Sequence, residues 1–420
     1  MIGRWCAAAA AVIGVVVAAS PAASADPEFH QPPPSLPGQA GELIRTEPLP
    51  LAWQQLGNVP AAATRIMYRS NDTHDSANAV TGVFFDPAVP WTGPGPRPLV
   101  SMAAGTQGQG DKCAPSRTIG TVLQFTPPSD VIVSYEAVFV GALLSRGIAV
   151  VLTDLDGLGT PGTHTYVNRA ASAHAVLDAA RAAKRLPGTG IIPDGPVAFW
   201  GYSQGGGASA AAVELAPEYA PELDVRGAFA GAPPADLAAT LDRIDGASLS
   251  GAVGYTLNGM AQSYPEVRPM IDAELNDRGR QLLADVQDQC VGETRLQYGF
   301  QRSESFTRTG EPLSTVLARY PIAAELFAEQ RIGNRTPTAP VLIQASVNDD
   351  TVPYDQVRQL AKDWCGKGAV VQLSDNTVPP ISPGTGLNHA LPYPLGIGES
   401  LTWVSDRFAG VPAPNSCGTL

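Results

Sequence analysis

The sequence has few positive charges. Of its 420 residues, 27 are Lys or Arg and 39 are Asp or Glu, which gives a formal net charge of −12. The basic residues form no stripe or cluster along the chain. Because proteins bind a phosphate backbone through clustered positive charge, the composition argues against nucleic acid as a partner.

Two further kinds of pattern are missing. The chain has no H-E-x-x-H motif and no cluster of Cys and His at metal-binding spacing, so we expect no metal and no cofactor. Beyond the first 25 residues there is no second long apolar segment. Since a transmembrane helix requires about 20 apolar residues, we expect no membrane span in the mature protein.

Residues 1–25 have the pattern of a secretory leader. Arg4 precedes an apolar run at 7–19, and the small residues Ala-Ser-Ala at 23–25 form a cleavage site. A membrane anchor is the alternative, but the apolar run is short and a processing site follows it. We therefore expect cleavage after Ala25 and a secreted, extracellular protein.

Cysteine is also scarce. The chain has five cysteines, and Cys6 lies in the leader. An even number of remaining cysteines in an oxidising compartment predicts two disulfides, for which three pairings exist. We favour Cys113–Cys290, which ties a core loop to an insertion, and Cys365–Cys417, which closes the C-terminal tail.

Strand and helix patterns alternate over much of the chain. Residues 26–60 are proline-rich and are expected to form an extended arm, and 63–68 with 80–85 predict a hairpin. The alternation that follows predicts βαβ crossovers and a mostly parallel sheet flanked by helices. The predicted strands are 99–103, 148–153, 197–200, 226–230, 341–345 and 369–373, and the predicted helices are 135–145, 167–186, 354–364 and 398–408.

The alternation is interrupted at residues 235–335, where the pattern is mostly helical. Helices are predicted at 235–244, 251–260, 267–275, 277–288 and 313–327. An insertion at this point would project over the carboxyl edge of the sheet, so we expect a helical cap; the alternative is a thickened core or an oligomer contact. The core would then comprise residues 61–234 and 336–420.

The segment at 201–205 reads Gly-Tyr-Ser-Gln-Gly and lies between a buried strand pattern and a helix rich in small residues. Gly-x-Ser-x-Gly in this position is the nucleophile elbow of α/β-hydrolases. The turn is so tight that Gly201 and Gly205 must lack side chains, and it presents a hydroxyl at a helix N-terminus. We therefore predict an α/β-hydrolase fold with Ser203 as the nucleophile.

A serine nucleophile needs a base, and α/β-hydrolases supply their triad in the order Ser, acid, His. Of the five histidines, only His389 follows Ser203, which makes it the predicted base. The acid is expected directly after the strand at 341–345. Asp349 has the usual spacing of three residues before Val-Pro and would orient the imidazole; Asp350 remains the alternative.

Acyl transfer also needs two N–H donors for the oxyanion. One is the backbone of Gln204, the residue after the nucleophile. The other is expected from the glycine-rich loop at 104–110, where Thr106 and Gln107 are the candidates. The alternative interpretation of this loop is a flexible linker.

Residues 157–162 fit the pattern G-x-G-x-x-G, which occurs in dinucleotide-binding proteins. That function requires a helix to begin within the motif, whereas Pro161 and the residues after it prolong a loop. We therefore reject nucleotide binding. His164 in the same loop is interpreted as a histidine with satisfied hydrogen bonds; the alternative is that it lines the site.

Several stretches together carry a family resemblance. They are the loop 104–108 with Asp-Lys-Cys-Ala-Pro-Ser at 111–116, Asp154 with Gly-Leu-Gly-Thr-Pro-Gly at 157–162, Gly-Tyr-Ser-Gln-Gly-Gly at 201–206, Gly-Ala-Phe-Ala-Gly-Ala-Pro at 227–233, Asp349 with Val352-Pro353, and His389. In these stretches the chain resembles the secretory lipases of actinobacteria and fungi. The resemblance covers most of residues 60–410 and implies an α/β-hydrolase with a cap that cleaves fatty acid esters. It also supports Ser203, Asp349 and His389 and the two favoured disulfides.

Two positions depart from the family pattern. Many relatives carry histidine where this chain has Ala104, which bears on the shape of the oxyanion loop. Many carry tyrosine where it has Leu155, which bears on the acyl or alcohol pocket. Neither position is a predicted triad member, so we still expect activity.

The predicted function is that of an exported serine hydrolase. It would cleave carboxylic esters of fatty acids, acylglycerols among them, through an acyl-enzyme on Ser203, with an oil–water or lipid interface as a further candidate partner. The alternatives are a peptidase or acyltransferase with the same triad, or a non-catalytic binding protein. Apolar cap residues are candidates either for an acyl channel or for the cap core: Leu249, Val253, Tyr255, Leu257 and Met260.

Overall fold

A computed structural model describes residues 28–36, 38–53, 61–127 and 129–420. The predicted leader, its cleavage site after Ala25 and Cys6 lie outside the described residues, as does the end of the arm at 54–60. In the part of the chain that the structure describes, no helix is both long and apolar enough to cross a membrane.

The core of the protein is a nine-stranded sheet with the strand order β1-β2-β3-β7-β4-β8-β9-β10-β11. Strands β7, β4, β8, β9, β10 and β11 pair in parallel, whereas β1, β2 and β3 are antiparallel. The strands are β1 (Leu43–Pro48), β2 (Ala61–Asn71), β3 (Ala77–Pro87), β4 (Leu99–Ala103), β5 (Leu123–Thr126), β6 (Asp130–Val133), β7 (Ala149–Thr153), β8 (Pro196–Tyr202), β9 (Asp224–Gly231), β10 (Val341–Ser346) and β11 (Val371–Asn376). The predicted fold class, a mostly parallel α/β-hydrolase sheet, is confirmed.

Helices cover both faces of this sheet. They are α1 (Pro115–Thr118), α2 (Glu136–Leu144), α3 (Arg169–Lys184), α4 (Gln204–Tyr219), α5 (Leu237–Ile244), α6 (Ala252–Ser263), α7 (Arg268–Glu274), α8 (Asp277–Val286), α9 (Val291–Tyr298), α10 (Leu313–Leu317), α11 (Pro321–Gln330), α12 (Tyr354–Gly366), α13 (Leu387–Ala390), α14 (Pro392–Leu395) and α15 (Ile397–Phe408). The alanine-rich helix α3 packs with α4 and α12 on one face, and α2 and α15 pack on the other. Central strands such as β7 are buried along their whole length because both of their faces meet helices.

Helices α5–α11 lie between β9 and β10 and have a hydrophobic core of their own. Tyr255, Val267 and Val286 are fully buried or nearly so within it. The two ends of this segment are tied together, since the Ile332 amide donates to the Ala235 carbonyl at 3.0 Å. The insertion therefore begins and ends at one place on the sheet.

The structure contains several elements that the sequence analysis did not predict. Part of the proline-rich arm forms β1, which pairs with the edge of β2. Strands β5 and β6 form a separate antiparallel hairpin, and α9 follows Cys290. The helix predicted at 313–327 is two helices, and α11 begins at Pro321, whose missing N–H cannot continue the preceding helix.

Two disulfides are present, Cys113–Cys290 and Cys365–Cys417, which are the pairs favoured from the sequence. The first joins the loop after β4 to the start of α9 and is buried. The second ties the end of α12 to the C-terminal tail. The first closes a sequence separation of 177 residues and the second one of 52.

We expect removal of the first disulfide to destabilise the protein more than removal of the second. A crosslink restricts the unfolded chain more when it closes a longer loop, and each typically contributes about 2–5 kcal/mol. Urea unfolding of a Cys113→Ala/Cys290→Ala variant should therefore show the larger loss, by roughly 1 kcal/mol. A larger loss in the matched Cys365→Ala/Cys417→Ala variant would contradict this expectation.

Candidate active site

Ser203 lies at the turn between β8 and α4 in a strained backbone conformation, with φ 57° and ψ −122°. Non-glycine residues rarely adopt such angles, which cost about 1–3 kcal/mol. The turn is closed by backbone contacts: a Cβ on Gly201 would lie 2.0 Å from the Gly205 carbonyl oxygen, and a Cβ on Gly205 would lie 2.1 Å from the Ala103 oxygen. These contacts confirm the steric reason predicted for the two glycines.

Asp349 and His389 are joined directly. Asp349 follows β10, His389 lies in α13, and Asp349 Oδ2 is 2.7 Å from His389 Nδ1. The other carboxylate oxygen accepts from the backbone amides of Thr351 at 2.8 Å and Val352 at 2.7 Å. The carboxylate is thus fixed by its own turn and can orient one imidazole nitrogen, leaving Nε2 for another partner.

Asp350, the alternative acid, has a different environment. Its Oδ2 accepts from the Gly386 amide at 3.0 Å and from the Asn388 side chain at 3.3 Å. It therefore holds the loop that carries His389, whereas Asp349 contacts the imidazole itself.

His389 lies beside the residue that precedes Ser203. The Tyr202 hydroxyl donates to the His389 carbonyl at 2.7 Å, and the two ring centroids are 5.3 Å apart. The structure therefore brings the predicted nucleophile, acid and base to the same edge of the sheet.

The glycine-rich loop at 104–110 is buried and held in place. Glu136 accepts from the Gly105 amide at 2.9 Å, and the Thr106 hydroxyl bonds to Tyr166 at 2.7 Å. Among the described residues, the backbone amides of Thr106, Gln107 and Gln204 have no hydrogen-bond partner. The loop is an ordered part of the site rather than a linker, and these amides are available as donors.

His164 contacts the residue after Ser203. Its Nε2 is 2.8 Å from Gln204 Nε2, and its Nδ1 is 2.7 Å from the Asp156 carbonyl. Burial lowers the pKa of His164 to about 4, so the imidazole is neutral at neutral pH. Its Nδ1–H then donates to the carbonyl and its Nε2 accepts from Gln204. The expected satisfied loop histidine is correct, but one of its partners belongs to the site.

Glu136 is a residue that no motif in the sequence indicates. It is buried beneath the glycine-rich loop at 104–110, and burial raises its pKa to about 7. It contacts Gly105 and Gln107. No local motif marks this residue, because its role arises from contact between α2 and a loop distant in sequence.

A largely apolar cavity opens beside Ser203 and Gln204 and extends under the helical insertion. It contains about 1000 Å³ of space, part of it open to solvent. Four of the five proposed channel residues line it, whereas Tyr255 does not: Tyr255 lies in the core of the insertion and bonds to Thr294 at 2.6 Å. The apolar wall includes Leu249, Val253, Leu257, Met260, Leu317 and Phe327.

The two departures from the family pattern occupy different places. Ala104 is buried at the start of the loop at 104–110, and a Cβ on Gly205 of the elbow would lie 2.8 Å from its carbonyl oxygen. Leu155 belongs to the core cluster of the sheet and is not among the residues that line the cavity. Leu155 itself is therefore a core residue and not part of the cavity wall.

The G-x-G-x-x-G loop at 157–162 has no helix at its end, since α3 begins only at Arg169. Among the described residues, one group has the spacing of a metal site: Cys113, Asp130 and Cys290. Its two sulfurs are joined in a disulfide and are not available as ligands.

Comparison with known proteins places these features in a family. A model of the secretory lipase family matches residues 123–416. A "probable inactive lipase" of Mycobacterium tuberculosis is 29% identical, covering 93% of this chain and 83% of the relative. Lipase A of Arthroderma benhamiae is 25% identical, covering 94% and 82%. The closed-state structure of Candida antarctica lipase A superposes with a TM-score of 0.76 at 26% identity, covering 91% of this chain and 85% of that one.

The buried Glu136 predicts a pH dependence of stability. Its pKa is raised from 4.5 to about 7 on folding, so the folded state holds the proton more tightly, and its contribution to stability is lost as pH rises through 7. A Glu136→Gln variant cannot lose a proton. Its unfolding free energy relative to the parent should rise by about 1–3 kcal/mol between pH 4.5 and 7.5, measured by urea unfolding.

The measurement compares the unfolding free energies of variant and parent because His164 also changes stability across this pH range. Its pKa is lowered on folding, so its effect on stability is opposite to that of Glu136. Glu325→Gln, at an exposed position, serves as the control. If the unfolding free energies of Glu136→Gln and the parent change with pH in the same way, the raised pKa of Glu136 is refuted.

Proposed function

Because the chain belongs to the secretory lipase family of carboxylic ester hydrolases, we propose that it cleaves fatty acid esters, acylglycerols among them, through an acyl-enzyme on Ser203. The observation that carries this proposal is the bond of 2.7 Å between Asp349 and His389, beside the strained turn that presents Ser203. A carboxylate, an imidazole and a serine at the end of a parallel strand are the groups that acyl transfer requires.

In this mechanism His389 takes the proton of Ser203 as its Oγ attacks the ester carbonyl. Asp349 keeps the imidazole in the tautomer that exposes Nε2 and stabilises the cation that forms. The alcohol leaves after His389 returns the proton to it. Water, activated by the same imidazole, then hydrolyses the acyl-enzyme.

The negative charge that develops on the carbonyl oxygen needs prearranged donors. We assign these to the Gln204 amide and to the Thr106 amide, with Gln107 as the neighbouring candidate. The first stands at the N-terminus of α4, where the helix dipole also favours negative charge. His164 and Glu136 are positioning residues, since each holds one of these two segments.

The acyl chain would occupy the apolar cavity, and the insertion at 235–335 would act as the cap over it. The cavity wall consists chiefly of aliphatic side chains, which fit a hydrocarbon better than a peptide. This chemistry favours a fatty acid ester over the substrate of a peptidase.

Family and disulfides indicate an extracellular protein. We propose that it reaches that compartment through the leader at residues 1–25, with cleavage after Ala25. Its substrate is a lipid ester, and we propose an oil–water or lipid surface as the place where it meets that substrate.

One alternative has specific support. A relative over nearly the whole chain is described as a probable inactive lipase, and Ala104 departs from the family at the oxyanion loop. A non-catalytic lipid-binding protein would retain the cavity without using Ser203. The intact Asp349–His389 pair favours the enzyme.

We expect the purified protein to hydrolyse short p-nitrophenyl esters and to react with a fluorophosphonate probe at Ser203. Replacing Ser203 by Ala should abolish labelling and lower kcat roughly 10⁴-fold or more, because the remaining groups cannot form the acyl-enzyme. The parent protein's failure to label, despite binding fatty acid, would favour the non-catalytic alternative.

Neighbouring aspartates allow a matched comparison. Asp349→Asn should lower kcat roughly 10³- to 10⁴-fold, because the amide favours the wrong imidazole tautomer. Asp350→Asn should lower it by less than about tenfold, since Asn still offers an oxygen to the Gly386 amide. The reverse ranking in steady-state assays would assign the acid to Asp350.

A further inference from the structure

The hairpin of β5 and β6 presents an apolar face to solvent. Leu123 pairs with Val133 and Phe125 with Val131, so all four side chains lie on one face. They are 62%, 48%, 59% and 40% exposed, respectively. The opposite face carries the buried Ile132. An antiparallel hairpin at a surface normally turns its polar residues outward, and this one does the opposite.

The hairpin carries almost no charge. Asp130 is its one charged residue among those described, and it is buried, where it pairs with Lys112 at 2.9 Å and accepts from the Cys290 amide at 3.0 Å. The Cys113–Cys290 disulfide lies against the same buried face, in contact with Ile132. The hairpin is thus held to the body of the protein by its inner face, and its outer face remains apolar.

Further exposed apolar side chains lie on α2 and α14, two helices that contact each other between the hairpin and the segment that carries His389. The chain passes from β6 directly into α2, where Val138 is 63% exposed. The next residue, Phe139, stacks on Tyr393 of α14 with ring centroids 3.6 Å apart, and Leu395 at the end of α14 is 63% exposed. Residues 376–398, which include His389, contain no Asp, Glu, Lys or Arg.

We propose that these six residues, the apolar patch, adsorb the protein to an uncharged lipid surface. The patch comprises Leu123, Phe125, Val131, Val133, Val138 and Leu395. This inference rests on the proposed function, and it names the surface on which that function takes place. Adsorption through the patch would turn the edge of the sheet that carries Ser203 and His389 toward the lipid.

The composition of the patch and the charge of the chain determine the kind of surface. An anionic membrane is recruited by Lys and Arg, and the patch has none, while the whole chain carries a charge of −12. Side chains such as Leu, Val and Phe gain free energy by entering an acyl layer without any charge partner. The partner is therefore a neutral or zwitterionic lipid surface.

The test compares two variants with four substitutions each. In the first, Leu123, Phe125, Val131 and Val133 are replaced by Thr, which retains strand propensity at exposed positions. The control replaces four apolar residues of similar exposure outside the patch: Ile192, Val347, Val370 and Val411. Binding is measured by flotation with phosphatidylcholine vesicles and with a triacylglycerol emulsion, and hydrolysis of a dissolved short ester is measured in parallel.

We expect the hairpin variant to lose about tenfold or more in binding to both lipid preparations, and the control to bind as the parent does. Both variants should hydrolyse the dissolved ester at the parent rate, which also verifies their folding. Vesicles containing phosphatidylglycerol should bind the parent no more tightly than phosphatidylcholine does.

Several outcomes would overturn the proposal. Parent-like lipid binding by the hairpin variant would do so, as would an equal loss in the control. A different result would identify the patch as a contact between copies of the chain. In that case the parent would sediment as a dimer, the hairpin variant would sediment as a monomer, and neither would bind lipid. Patch-dependent lipid binding by a parent protein without ester hydrolysis would reject the proposed function but retain this surface.

Discussion

The candidate site depends on how closely three backbone segments approach at the end of β8. Carbonyl oxygens of Ala103, Gly205 and Gly231 occupy the positions that side chains on Gly205, Gly201 and Gly206 would need. This approach holds Ser203 in its strained conformation and supplies a bond from its amide to Gly231 at 2.9 Å. The surrounding strands enforce the strained conformation. The Ser203 hydroxyl is therefore held in position by rigid elements, and no loop has to become ordered before a substrate binds.

The fold class was predicted correctly from the sequence, and in this fold the order of residues along the chain determines where they lie. Parallel strands place their carboxyl ends at one edge, so a serine after β8, an acid after β10 and the single downstream histidine had to lie near each other. The choice between Asp349 and Asp350 rested on spacing alone. In the structure Asp349 accepts from two amides of its own loop and contacts the imidazole, whereas Asp350 accepts from the loop that carries His389.

What the sequence could not reveal depends on contacts between distant segments. Glu136 in α2 and His164 in the loop before α3 have ordinary local surroundings in sequence, and their roles appear only when they meet Gly105 and Gln204. The hairpin of β5 and β6 was missed for a related reason. β5 alternates apolar and polar residues, β6 has three apolar residues in succession at 131–133, and the sequence alone does not show which face of the hairpin the protein covers. Pro321, by contrast, is visible in the sequence as a helix breaker within the predicted helix at 313–327.

Burial of polar groups behind the oxyanion loop has a consequence for the proposed chemistry. Burial raises the pKa of Glu136 to about 7 and lowers the pKa of His164 to about 4, so below about pH 7 neither group places a full negative charge beside the amides proposed as donors. An ionised carboxylate beneath the loop would oppose the negative charge that develops on the substrate oxygen, and this opposition grows in a site of low dielectric constant. Hydrogen bonding from Gly105 lowers the cost of ionising Glu136, but burial has the larger effect on its pKa. The same carboxyl group can therefore hold the loop in place while, below about pH 7, it mostly remains uncharged and does not weaken the donors that the loop provides.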